Sequence, residues 1–296
     1  MTITEAQEDR KDEGYGRRGI LPLIVMGSFI LIVQLVALIL AGPFESAGIK
    51  AFENPDSVVN PIIYIAFILL FTLFILLAMR RKRRWLVNLI MYGAIFGTLC
   101  YVFILPLPSW GALPLSLILT ALIYVYPEWY IIDAVGLVIA AGATSIFGIS
   151  LAVIPAIVLL AVLAVYDAIS VYRTRHMVAL AEGVLDLRIP ILFILPRCKG
   201  FSFLRKTDLK QGDAFIMGLG DAIIPSILVV SANVYIKDVP VIWILNLPAL
   251  GAMIGTLLGY ITLSRIVGKG KPHAGLPLLN TGAILGFLVG FFLSFS

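Results

Sequence analysis

Two aspartates lie inside long apolar segments of the chain, where a charged side chain is unusual. Asp167 lies in AVLAVYDAISVY (161–172), and Asp221 lies in FIMGLGDAIIPSILVV (215–230). An aspartate at the centre of a bilayer helix costs on the order of 3 kcal/mol, so such a residue is expected to have a function. Two carboxyls that meet in a low-dielectric site cannot both ionise cheaply, and they share a proton. Such a pair is suited to acid–base chemistry on a water molecule.

The composition predicts a membrane protein. Of the 296 residues, 60% are hydrophobic and 13% are charged, whereas soluble domains are about half apolar and about a quarter charged. Nine continuous apolar runs have lengths close to the roughly 20 residues that a helix needs to cross a bilayer. A transmembrane β-barrel would instead show short alternating segments. We therefore predict an all-α polytopic integral membrane protein with nine transmembrane helices, located in the cell membrane if its source is prokaryotic. The runs are 19–41, 61–79, 86–105, 110–126, 131–147, 149–172, 215–236, 240–264 and 274–295.

The positions of the basic residues predict the topology. Twenty of the 22 lysines and arginines fall in segments that nine alternating crossings place on one side of the membrane, and Lys50 and Lys237 are the two exceptions. Because basic loops stay in the cytoplasm, the amino terminus is expected inside and the carboxy terminus outside. Topology also accounts for the formal net charge of +5, so no nucleic-acid partner is expected.

These features divide the chain into four parts. We expect residues 1–18 to be a disordered cytoplasmic tail and residues 173–214 to be a basic cytoplasmic linker. Residues 19–172 form a six-helix part with Asp167, and residues 215–296 form a three-helix part with Asp221. Within the linker, LRIPILFILP is apolar but too short to span, so it is expected on the membrane surface or over a groove.

The two carboxyls are predicted to lie at similar depths. Asp167 is six residues before Arg173, and Asp221 is eight residues after Asp213, which corresponds to roughly 9 and 12 Å inside the cytoplasmic boundary. The sixth and seventh helices run in opposite directions, so neighbouring packing would let the carboxyls face each other. Pro225 removes the usual helical partner of the Asp221 carbonyl and loosens the helix where water must enter.

The motifs around these aspartates resemble the YD and GxGD motifs of the presenilin and signal peptide peptidase family of intramembrane aspartyl proteases. The residues that carry the resemblance are Tyr166, Asp167, Gly218, Leu219, Gly220 and Asp221. The resemblance covers nearly the whole chain, and the chain is most similar to a prokaryotic presenilin homologue. The resemblance implies nine helices, and it implies that Asp167 and Asp221 hydrolyse peptide bonds within transmembrane segments by two-aspartate acid–base catalysis with an activated water.

The family has a third motif, Pro-Ala-Leu, at the start of its ninth helix, and here that motif is altered. By position, its counterpart is Ala274-Gly275-Leu276-Pro277, with Ala274 where the family has proline. A literal Pro248-Ala249-Leu250 lies inside the eighth apolar run instead. We expect the segment from Ala274 to Pro277 to contribute to the site.

The expected partners are the lipid bilayer and transmembrane protein substrates. The presenilin-like orientation implies substrate helices with their amino termini outside, and the chain is expected to act alone or as a homo-oligomer. No cofactor or metal is expected, because Cys100 and Cys198 lack ligand spacing and no HExxH motif is present.

Two other functions are compatible with intramembrane carboxylates. An ion- or proton-coupled transporter or channel would use them along an ion path, and glycine- and proline-interrupted helices are also typical of transporter sites. A prepilin-peptidase-type aspartyl protease would also use two membrane aspartates with a GxGD motif.

Overall fold

The structure is a computed structural model that describes residues 3–81, 84–171, 192–196, 214–237, 240–241, 244–267 and 274–295. Within these ranges the chain forms nine helices and a two-stranded antiparallel sheet. One helix corresponds to each of the nine predicted apolar runs. The helices are α1 (Ile3–Ser46), α2 (Val59–Arg80), α3 (Arg84–Phe103), α4 (Ser109–Val125), α5 (Trp129–Ser150), α6 (Val153–Ile169), α7 (Leu219–Tyr235), α8 (Leu247–Val267) and α9 (Leu276–Leu293). The strands are β1 (Leu192–Pro196) and β2 (Ala214–Gly218).

Five of the helices in the described residues contain segments that are long and apolar enough to cross a membrane. These segments are Pro22–Ser46, Trp85–Phe103, Trp129–Ser150, Leu247–Ile266 and Leu276–Leu293. The other four helices contain apolar stretches of 17 residues. Large apolar side chains such as Phe67, Leu70 and Trp110 are exposed on α2 and α4, as expected of a surface covered by lipid tails.

Two segments differ from the arrangement predicted from the sequence. Helix α1 begins at Ile3 and runs through the segment expected to be a disordered tail; that segment contains many residues with good helix propensity. Part of the apolar stretch 187–196 forms β1, which pairs with β2 in the register Leu192↔Gly218 to Pro196↔Ala214. Short apolar runs do not distinguish strand from helix, so the seventh helix was predicted to start at 215 rather than at Leu219. The rest of the predicted linker lies outside the described residues.

Helix α7 is the central element of the described fold. Eleven of its residues are buried, including every one from Ile224 to Ala232, and it packs against α1, α5, α6, α8 and α9. A helix that is apolar on all sides belongs inside a bundle. The surrounding helices therefore hold α7 in place along most of its length.

Both ends of α7 are fixed to α5 and its following turn. At the first end, Leu219 packs close to Gly136, where an added Cβ would lie 3.3 Å from the leucine Cδ1. At the other end, Ser231 donates a hydrogen bond to the Leu151 carbonyl at 2.7 Å, and the Tyr235 hydroxyl donates to the Ile149 carbonyl. These contacts set the height of α7 relative to α5.

Helices α8 and α9 are antiparallel and approach each other at backbone distance. Glycines line both sides of the contact: Gly251, Gly255 and Gly259 on α8, and Gly282, Gly286 and Gly290 on α9. A Cβ added at Gly255 would lie 3.0 Å from the Gly286 Cα and closer still to the Gly282 backbone. Small residues allow this approach in membrane helices, where van der Waals packing drives association. The position of α9 therefore depends on α8.

Candidate active site

Asp167 lies near the end of α6 and is buried, with 5% of its surface exposed. Its Oδ2 accepts a hydrogen bond from the backbone N–H of Leu276 at 3.2 Å. Leu276 is the first residue of α9. The first N–H groups of a helix have no hydrogen-bond partner inside it, so an N–H group at the start of α9 can bind this carboxyl.

Asp221 is the third residue of α7, and this helix begins directly after the end of β2. Gly218 is the N-cap of the helix, with an extended backbone, and its N–H donates to the Asp221 carboxyl. A side chain at the third helical position that bonds back to the N-cap N–H is half of a capping box. The change from strand to helix thus fixes the Asp221 carboxyl at the start of α7.

The start of α9 brings the two carboxyls together through consecutive residues. Leu276 donates to Asp167, and Gly275 lies against Asp221, since a Cβ added at Gly275 would be 3.0 to 3.1 Å from all three atoms of that carboxyl group. The two carboxyls are near enough for their charges to interact. The site therefore forms where the end of α6 meets the beginnings of α7 and α9.

Two helix N-termini face the carboxyls. Asp221 occupies the first turn of α7, and Asp167 binds the first N–H of α9. The partial positive charge of a helix N-terminus stabilises a nearby negative charge, more so in a partly buried site. These dipoles favour a negative charge on the pair inside the apolar bundle.

Comparisons with known proteins agree with this geometry. Residues 27–295 match the family model described as signal-peptide peptidase, presenilin aspartyl protease. The chain belongs to this family. Two solved structures of a presenilin family intramembrane aspartate protease, in C222 and P2 space groups, are each 41% identical to it and cover 92% of it. They are covered to 99% and 98%, with TM-scores of 0.68 and 0.67. No curated protein matches the chain.

The chain is thus an intramembrane aspartyl protease, an aspartic endopeptidase that acts within the membrane on transmembrane substrates. Its family membership and apolar helices make it an integral membrane protein. The resemblance in the YD and GxGD motifs is confirmed at the level of the family. The transporter and prepilin-peptidase alternatives gain no support from these comparisons.

The remaining residues predicted for the protease site surround the carboxyls in different ways. Leu219 is buried and supports the start of α7, whereas Gly220 is exposed. Ala274 is buried just before the Gly275 N-cap, and Pro277 lies in the first turn of α9, where its missing N–H is not needed. Tyr166 precedes Asp167 and is partly exposed.

The literal Pro248-Ala249-Leu250 lies at the other end of the α8–α9 pair. A Cβ added at Gly290 would be 3.0 Å from the Pro248 Cα. Gly290 follows Leu276 by 14 residues, which is about 21 Å along a helix. The structure therefore brings the segment from Ala274 to Pro277, rather than Pro248–Leu250, to the aspartates of the protease.

One residue near the protease site, Asn280 of α9, was not predicted from the sequence. Its side chain is fully buried, and its Nδ2 donates to the Leu160 carbonyl of α6 at 2.8 Å. Leu160 lies two turns before Asp167 on the same helix. Asn280 thus ties α9 to the helix that carries Asp167. An amide inside an apolar run was the available signal, because polar groups in membrane helices usually bind a neighbouring helix.

We expect Asn280→Leu to lower kcat/KM about threefold to tenfold, because losing one buried hydrogen bond loosens the alignment of α9 with α6. Thr281→Val is the matched control, since the Thr281 hydroxyl is exposed and donates only to Pro277 of its own helix. Peptide cleavage kinetics measure both variants. Equal kcat/KM for the two would show that the Asn280 bond does not align the site.

Proposed function

We propose that Asp167 and Asp221 are the catalytic carboxyls of this protease. The observation that carries the proposal is that two consecutive residues contact the two carboxyls: Gly275 lies against Asp221, and Leu276 donates its N–H to Asp167. One ionised carboxyl takes a proton from a water molecule, and the water oxygen attacks the carbonyl carbon of the scissile bond. The protonated partner polarises the carbonyl oxygen. That protonated partner then gives its proton to the amide nitrogen as the C–N bond breaks, which releases a carboxyl and an amine and leaves the pair with one proton, now on the carboxyl that deprotonated the water.

The outer edge of β2 offers a place where an extended substrate segment could bind next to these carboxyls. Ile194 directs its N–H away from β2, to Asp133, so the pair Ile194↔Ile216 is not hydrogen-bonded across the sheet. The backbone of Ile216 then faces the outer edge of β2, where no third strand pairs within the described residues. An extended peptide added at this edge would pass close to Asp221, three residues beyond β2.

The proposal is tested with purified protein and a peptide that contains one apolar segment of about 20 residues. We expect two products whose masses place the cut inside that segment. In vesicles, a segment with its amino terminus outside should be cut faster than the reversed sequence, as the presenilin-like orientation implies. Faster cleavage of the reversed peptide would contradict the orientation. Absence of cleavage combined with aspartate-dependent ion flux would instead favour the transporter alternative.

We further propose nine transmembrane helices with the amino terminus in the cytoplasm and the carboxy terminus outside. Residues 19–172 would form a six-helix part and residues 215–296 a three-helix part, joined by a cytoplasmic linker. The charge distribution supports this topology. In a prokaryotic source the protein would lie in the cell membrane, alone or as a homo-oligomer.

Cysteine labelling tests the topology. In a Cys100→Ser, Cys198→Ser background, we expect Lys50→Cys and Lys237→Cys to react with a membrane-impermeant thiol reagent on intact cells, because these loops are predicted outside. Arg81→Cys is the control, and it should react only after the cells are permeabilised. Labelling of Arg81→Cys on intact cells would reverse the orientation.

A further inference from the structure

Asp133 of α5 is a buried carboxyl that the proposed chemistry does not use. Only 4% of its surface is exposed. Its Oδ1 accepts a hydrogen bond from the Ile194 backbone N–H of β1 at 2.8 Å. Its Oδ2 is buried and has no hydrogen-bond partner among the residues that the structure describes. Asp133 therefore joins the helical bundle to the sheet through one oxygen.

The described residues that pack beside Asp133 are apolar. Ile132 beside it packs with Ile194, Trp129, Leu192 and Ala214 in one cluster. Burying a carboxyl among such side chains is unfavourable unless it makes hydrogen bonds, and an apolar side chain would fill the same space without that penalty. The carboxyl is thus explained by the bond that it makes and not by packing.

That bond lies on the outer edge of β1 and fixes the strand along α5. A slip of one residue would turn every side chain of β1 to the opposite face. Phe193 and Ile194 are both buried, and an added Cβ at Gly136 of α5 would lie 3.4 Å from the Phe193 ring. A single acceptor opposite the Ile194 N–H therefore selects one position of β1 on α5.

Strand β2 takes its position from β1, and Asp221 follows β2. The paired residues run from Leu192↔Gly218 to Pro196↔Ala214, and α7 begins directly after Gly218. With Asp133 occupying the outer edge of β1, the remaining edge for an added strand is that of β2. The position of β1 on α5 therefore supports β2 at one height beside the carboxyls, and a substrate strand on the outer edge of β2 would be held at that height.

We propose that Asp133 is a positioning residue that sets the register of the β1–β2 sheet and so determines which peptide bond of the substrate is cleaved. This proposal rests on the proposed addition of a substrate strand at β2. Asp133 acts through the sheet and does not touch the reacting atoms.

The test compares Asp133→Leu with Asp133→Asn in the full-length protein, using the parent's peptide substrate. Asn keeps an oxygen that can accept the Ile194 N–H, whereas Leu leaves that buried donor unpaired. For Asp133→Leu we expect product masses that show additional cleavage positions and a KM raised about tenfold, with a smaller change in kcat. For Asp133→Asn we expect the parent's cleavage position and KM. Rescue by the conservative variant would separate positioning from a general loss of stability.

Two further variants provide a second test of the Asp133–Ile194 hydrogen bond and a control. Ile194→Pro removes the donor instead of the acceptor, and proline is tolerated where the N–H points away from the ladder; it should shift the cleavage position as Asp133→Leu does. Thr120→Val is the matched control, because this buried hydroxyl donates only to Ser116 of its own helix.

The outcomes separate the proposal from the function on which it rests. An unchanged cleavage position in both Asp133→Leu and Ile194→Pro, with only a lowered Tm, would overturn the positioning role and leave the protease function intact. If Asp133→Leu does not fold, Ile194→Pro decides by the same measurement. Failure of the parent itself to cleave would count against the proposed catalytic function.

Discussion

Asp167→Asn and Asp221→Asn should each abolish peptide cleavage while the protein remains folded. The expected loss is at least about 10³-fold, since general acid–base catalysis contributes about 10²- to 10⁴-fold and each carboxyl carries a separate part of it. Asparagine has nearly the same shape and keeps an oxygen that can accept the Leu276 N–H, now held by Asp167. The loss should therefore come from proton transfer and not from unfolding.

Product formation from the transmembrane peptide measures the effect, with Tm in detergent as the check on folding. Asp56→Asn is the matched control, because this carboxyl lies in the loop before α2 and is remote in sequence from the aspartate pair. We expect its activity to equal the parent's. If either single variant of the pair kept a tenth of the parent activity, the two-carboxyl mechanism would be wrong.

Gly255→Ala should destabilise the protein and lower its activity together. The added Cβ would meet the Gly282 backbone, with its carbonyl carbon at 2.9 Å, and the Gly286 Cα at 3.0 Å. Backbone atoms cannot move aside as a flexible side chain can, so α8 and α9 must separate, at a cost of about 1–3 kcal/mol. Displacing α9 also moves Gly275 and Leu276 away from the carboxyls.

Gly97→Ala on α3 is the matched control for this prediction. A Cβ there would meet nothing within 4 Å, and replacing a helical glycine by alanine in open space stabilises by about 0.5–1 kcal/mol. The two substitutions should therefore shift Tm in opposite directions. A similar Tm for both variants would show that the glycine contact does not hold α9 in place.

The helices and the helix ends that carry the two aspartates were largely predictable from the sequence. Each apolar run is a helix because burial and the bilayer both demand satisfied backbone groups. Asp167 and Asp221 could be paired by depth because α6 and α7 are consecutive and run in opposite directions. The choice of Ala274–Pro277 over Pro248–Leu250 rested on position in the chain; of that segment, Gly275 and Leu276 contact the two carboxyls.

The contacts made by distant segments were not predictable in the same way. Strand β1 pairs with β2 and donates the Ile194 N–H to Asp133 of α5, and no local sequence pattern predicts that these three segments meet. Gly148 lies inside α5, where an added Cβ would be 2.5 Å from the Val230 Cβ, and the local sequence does not distinguish such a glycine from one in a turn. Its role is close helix packing, which depends on a partner elsewhere in the chain.

The segment at the start of α9 contacts the two aspartates through its backbone. Leu276 reaches Asp167 through its peptide N–H, and Gly275 meets Asp221 with no side chain between them. Selection should therefore act on the path of the main chain there and tolerate drift in side chains that do not alter it. Alanine at 274, where the Pro-Ala-Leu motif that this segment resembles has proline, is then compatible with the same path of the main chain.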